Sequence, residues 1–257
     1  MSKIVPFRED FETVGKFEVA AWYILLLSTL LLIVSFLLEK YSPGYKVLSD
    51  WIDRVNCFFI ISYAAIELYI NNYGFFNASI KKREDFIDNS FNSSLGLKNS
   101  ENYFSNDELE GSIYKMGVNT FENVLFSYNI AKEMRFTILT KCFGIALVFV
   151  ACAICGYDNT IILIIQLSLP ILLIQQAVKH SIFVNRLEKN LKCFCRMFNN
   201  LKNGSKKEYI PEIICNVMEY EVILTWGSTI LNNKIFNKLN PSLSKEWDSM
   251  KEKYNIQ

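Results

Sequence analysis

Residues 19–38 run for twenty positions without a charge, and that stretch limits what the chain can become more than any other feature. A helix needs about 20 apolar residues to cross the hydrocarbon core of a bilayer. A secretory signal would hold an apolar region of only about 7–15 residues, closed by small residues at a cleavage site. This run is longer and stops at Glu39-Lys40-Tyr41-Ser42-Pro43-Gly44, so it reads as a retained span.

Three further stretches follow the same logic. Residues 55–76 form a second span interrupted by Glu67, and residues 136–157 a third. Residues 159–178 form a fourth, again uncharged, with Pro170 expected to kink it or to free a carbonyl for a neighbour. Only Tyr157-Asp158-Asn159 separates the last two, which predicts an antiparallel hairpin. Composition agrees with a mosaic: 51 % of the 257 residues are apolar while 21 % are charged, and mean hydropathy is +0.17. Net charge is +1, so no global basic field points to nucleic acid or to acidic substrates.

Basic residues set the orientation. The hairpin turn has none, whereas the segment between the second and third spans and the tail are both rich in Lys and Arg. Four spans then place both termini and the central segment on one face, expected to be the cytoplasmic face. The expected architecture is all-α: a four-transmembrane-helix protein with a helical cytoplasmic layer, oligomeric, whose partners begin with the lipid bilayer. Its segments are residues 1–76 (N-terminus and two spans), 77–135 (cytoplasmic insert), 136–178 (hairpin) and 179–257 (helical tail). In the insert, Ile113, Met116, Phe121, Leu125 and Ile130 recur at helical spacing and lead toward the third span. In the tail, one amphipathic helix ends near Lys202-Asn203-Gly204-Ser205, and a second covers residues 209–238 up to Asn240-Pro241. The insert and tail are each too small for an independent fold and are expected to pack together.

Chemistry-bearing patterns are sparse. His180, the only histidine, directly follows a span and reads as an interfacial side chain. Cys152 and Cys155 lie in an apolar helix, where small polarizable side chains pack well, and Cys193 and Cys195 point to different helix faces. Zinc wants four converging ligands, so neither a metal nor another cofactor is expected. No phosphate-binding glycine loop and no nucleophile elbow occurs, and no catalytic residue or enzyme activity is read from the chain.

The informative groups are polar residues inside the spans, which are costly there and usually face a bundle interior or a hydrated path. Asn56, Tyr63, Glu67 and Asn71 are spaced to share one stripe of the second helix. Either this stripe bonds helices together, or the span is short and Glu67 sits at the interface, or the stripe lines a pore formed by several copies. Ser28, Ser35 and Gln166 are weaker candidates for the same surface. An acidic ring favours cations. Lys81-Lys82-Arg83 serves topology or anionic lipid, or else binds a phosphate-rich ligand, with Phe86, Phe91, Tyr103 and Phe104 available for base stacking.

The layout of two spans, a charged insert, a tight two-span hairpin and a helical tail resembles the SMODS-associated four-transmembrane effectors of bacterial anti-phage defence, and the related channel-type effector of the Hailong system. The segments that prompt the likeness are Lys82-Arg83-Glu84-Asp85-Phe86-Ile87-Asp88-Asn89-Ser90-Phe91, Tyr103-Phe104-Ser105-Asn106, Phe121-Glu122-Asn123, and Phe236-Asn237-Lys238-Leu239-Asn240-Pro241 followed by Trp247. The resemblance implies a homo-oligomeric effector that conducts ions. Its gate would answer a nucleotide or oligonucleotide made by a partner nucleotidyltransferase, and opening would depolarise the cell. The cytoplasmic part would sense, and the spans would execute with Glu67 in the pore. From another class, the alternative is a non-conducting membrane anchor whose cytoplasmic helices bind a protein partner.

Overall fold

The computed structural model describes residues 5–98, 100, 105–155, 160–202 and 204–256, without the side chains of residues 43, 155, 160–163, 165 and 166. Among the described residues it is all-helical, with no strand. Helix α1 covers Arg8–Tyr41, and a 3-10 turn at Pro43–Tyr45 leads to α2, Lys46–Tyr69. A π-helical turn, Ile70–Gly74, precedes α3 at Phe75–Phe91. Then follow α4 at Ile113–Cys155, α5 at Thr160–Leu201, α6 at Ile210–Gly227 and α7 at Asn233–Tyr254. The chain divides into two compact units: residues 12–74 with 136–179, and residues 1–11 with 75–135 and 180–257. We call the first the apolar unit and the second the aromatic-cored unit.

Three helices, α1, α4 and α5, contain stretches long and apolar enough to cross a membrane. α2 is not among them, and its pattern explains why. Its buried residues are Ser49, Asp53, Asn56, Ile60 and Tyr63, so four of the five carry a polar group. Its exposed side chains include Trp51, Val55, Phe58, Ile61 and Leu68. A helix in water shows the opposite arrangement. Averaging hydropathy along α2 cancels an apolar outer face against a polar inner one.

The core of the apolar unit joins Ala21, Leu25 and Leu32 of α1 with Ile60 and Tyr63 of α2. Cys142, Phe149 and Cys152 of α4 and Leu169, Leu173 and Ala177 of α5 complete it. α5 continues through Pro170. The second helix departs from the sequence expectation of a span over residues 55–76. It starts at Lys46 and ends at Tyr69, while Phe75 and Phe76 already belong to α3 in the other unit. A hydropathy window avoids Asp50, Asp53 and Arg54; the helix includes all three, with Asp53 buried and Asp50 and Arg54 exposed.

Phe121 organises the aromatic-cored unit. It stacks on Phe194 (centroids 5.6 Å apart) and Phe198 (5.1 Å), and Trp247 meets its edge at 5.4 Å. Truncating such a ring to alanine costs about 3–5 kcal/mol. Insert and tail share this one core, from Val118 and Leu125 to Tyr220 and Tyr254. The tail's helix break differs from expectation. α6 ends at Gly227, where a Cβ would lie 2.3 Å from a Phe183 ring carbon, and Ser228 adopts a left-handed φ of 46°. Pro241 lies inside α7, whose start is capped by the Asn232 carboxamide oxygen accepting from the Lys234 and Ile235 N–H groups. A close helix–helix approach and a cap, rather than the proline, decide where the helices part.

Candidate functional site

The sequence stripe on α2 is found facing α1. Ser28 Oγ donates to Asn56 Oδ1 at 2.6 Å, and one heptad further along α1 the Ser35 and Ser49 hydroxyls are 2.9 Å apart. These pairs fix an antiparallel register that sets residues 17–19 level with Glu67, and the Phe17 and Tyr69 rings lie 5.1 Å apart accordingly. Asn56 is fully buried with Ser28 as its partner, so it joins helices within one chain. Glu67 lies level with the start of the apolar run of α1 and not at its middle.

Ionisable groups gather at that end. Glu67 Oε2 accepts from Asn71 Nδ2 at 3.2 Å, the same amide donates to the Glu67 carbonyl at 2.8 Å, and the Tyr63 hydroxyl also bonds to the carboxylate. Glu18 and Lys179 both act electrostatically on Glu67. The π-helical turn of Ile70–Gly74 begins three residues on, and such turns often sit at functional positions. Tyr63, Glu67 and Asn71 are thus brought together, with Glu18 and Lys179 added. The side chain of Gln166 lies outside the described residues.

The basic run is paired inside its own unit. Lys81 Nζ reaches Asp10 at 2.7 Å, Arg83 Nε donates to Glu221 Oε2 at 2.5 Å, and Arg83 also bonds the Thr225 hydroxyl. Lys82 is partly exposed; burial pushes its ammonium below the usual lysine range, and the Glu221 carboxylate opposes that shift. A phosphate would have to compete with these carboxylates.

Sequence reasoning missed a polar network on α3 and α4. Asp88 accepts from the Ser93 hydroxyl, the Leu95 N–H and the Gly96 N–H at 2.7–2.8 Å, and Asp85 accepts from the Ser100 N–H and hydroxyl. Two carboxylates one turn apart thereby hold the segment after α3 against the helix. Burial pushes the Asp88 carboxyl up, but those three donors outweigh it and leave it below the ordinary range. Beside them, Asn119 donates to Asn89 Oδ1, and Asn106 donates to both Asn119 Oδ1 and Glu122 Oε2. Burial holds Glu122 above the usual carboxylate range, against hydrogen bonds from Ser105 and Asn106. The Asn-rich composition of residues 89–123 was the available signal, but it reads equally well as solvated loop. Tyr103 and Phe104 lie outside the described residues.

Among the described residues no group of three or more His, Cys, Asp or Glu side chains is placed to hold a metal ion. No family model, curated protein or solved structure matches the chain.

Proposed function

We propose that the protein is a homo-oligomeric membrane effector whose apolar unit, four spans including α2, conducts ions, and whose aromatic-cored unit receives a nucleotide or oligonucleotide signal on the cytoplasmic side of a bacterial inner membrane. The observation that carries the reading is the inverted face of α2: apolar residues outward, and Ser49, Asp53, Asn56 and Tyr63 buried on the other side. A helix built this way belongs where its surroundings are lipid and its neighbours are polar. Glu67 and Glu18 at one end of the apolar unit give a conducting path an acidic mouth, which concentrates cations. The defence role and the nucleotidyltransferase partner rest on the resemblance to four-transmembrane effectors. Ion flux from proteoliposomes holding the purified full chain, with and without short oligonucleotides, tests it. Oligonucleotide-dependent cation flux is expected, and none from a folded oligomer would refute it.

One observation favours the second reading, a non-conducting anchor that binds a protein partner. Asn56 Oδ1, Lys81 and Arg83 already have partners within a single chain, as structural groups do. On that reading the α2 stripe only bonds helices together, and Glu67→Gln alters stability alone.

A further inference from the structure

We propose that Asp53, with the oxygens of Ser35 and Ser49, forms a binding site for a dehydrated alkali cation on the seam between α1 and α2. Asp53 is 4 % exposed. Ser35 hydrogen-bonds its carboxylate, yet Oδ1 is buried with no hydrogen-bond partner. The charged groups acting on it from both helices are Glu39 of α1 and Asp50 of α2, which are themselves acidic. A buried carboxyl in that company is neutralised either by a bound cation or by a proton.

The surrounding atoms are those a hard cation takes. The Ser35 hydroxyl lies 3.4 Å from the Ser49 carbonyl, the Ser49 hydroxyl lies 3.2 Å from the Ser35 carbonyl, and the hydroxyls are 2.9 Å apart. Each hydroxyl has one proton to donate and two lone pairs, so both oxygens keep acceptor capacity to turn toward a guest. One turn along α2, the buried Asn56 Nδ2 is also unpartnered while Oδ1 accepts from Ser28. A half-turn of that amide, with Ser28 becoming the acceptor, puts a neutral oxygen where the unpartnered Nδ2 stands. A single carboxylate among neutral oxygens matches one positive charge. Oxygen donors of this kind select hard ions.

The test needs no conduction, so it fails or succeeds independently of the channel reading. The purified full chain in detergent is unfolded thermally in lithium, sodium, potassium, caesium or choline chloride at equal ionic strength. The site predicts that one alkali cation raises the midpoint by a few degrees over choline, dependent on concentration and ion size. That increment disappears in Asp53→Asn, and in Ser35→Ala with Ser49→Ala should Asp53→Asn fail to fold. Equal midpoints in all five salts overturn the proposal and leave a proton or a water on Asp53 Oδ1. An ion-specific increment that persists in the variants also overturns it.

Discussion

Ser28 Oγ and Asn56 Oδ1 meet at 2.6 Å between helices 28 residues apart in sequence, with both side chains withdrawn from the surface. The pair sits midway along the apolar run of α1, where lipid offers no substitute partner. Asn56→Ala strands the serine hydroxyl, and interhelical hydrogen bonds in membranes are worth about 0.6 kcal/mol on average and up to about 1.7. Reversible unfolding in mixed micelles is expected to show a loss on the order of 1 kcal/mol, with little further loss on adding Ser28→Ala. Additive losses would separate the two residues.

The outward face of α2 gives a second outcome. Phe58 is 68 % exposed and, by the Ser28–Asn56 register, lies level with the middle of the apolar run of α1. Phe58→Arg is expected to cost about 2.5–3.5 kcal/mol of insertion at that depth. A glycosylation-site insertion assay reads this directly, and the exposed Tyr45→Arg beyond the span serves as the tolerated comparison. Equal insertion of both variants would place α2 outside the bilayer.

Arg83 and Glu221 separate the two uses of a basic run. Their contact joins α3 to α6 with both side chains about one-third exposed, so its worth is on the order of 1 kcal/mol or less. Glu221→Arg is expected to lower stability, and the exchange Arg83→Glu with Glu221→Arg to recover most of it in a double-mutant cycle. An exchanged protein that keeps its fold and its oligonucleotide response removes Arg83 from the ligand site. Loss of the response with the fold intact restores it there.

The spans of α1, α4 and α5 were legible because long uncharged runs in a chain have few other fates. α2 was only half legible, since Asp50, Asp53 and Arg54 look like a loop until Ser35 and Ser28 of α1 give Ser49, Asp53 and Asn56 something to meet. The tail break was misplaced for a related reason. Pro241 is a visible signal, whereas the need for Gly227 arises from a Phe183 ring 44 residues away in sequence. The stripe of Tyr63, Glu67 and Asn71 followed from helical spacing alone. Its neighbours Glu18 and Lys179 did not, because tertiary contacts between helices leave no local period. Asp85 and Asp88 carry no local signal of their role, and only the return of Ser93, Leu95, Gly96 and Ser100 to the helix reveals what they hold.

Asp88 gives the segment after α3 a pH dependence of known sign. Its carboxyl titrates below the ordinary range when folded, so its contribution is complete above the unfolded value of about 3.9 and is lost as pH falls through the folded one. Hydrogen exchange at the Leu95 and Gly96 amides is expected to be protected at pH 7 and to open as acid approaches that folded value. Asp88→Ala should open both amides already at neutral pH. Protection that survives the substitution would mean that other contacts hold the segment.

Current through a planar bilayer containing the purified full chain tests the central claim most directly. The account predicts discrete cation-selective conductance that short oligonucleotides increase. Glu67→Gln should reduce it severalfold while the oligomer runs unchanged on size exclusion, because the proposed path has this carboxylate, hydrogen-bonded to Tyr63 and Asn71, at its mouth. Silent bilayers from a folded oligomer under every oligonucleotide, or conductance indifferent to Glu67→Gln, would contradict it.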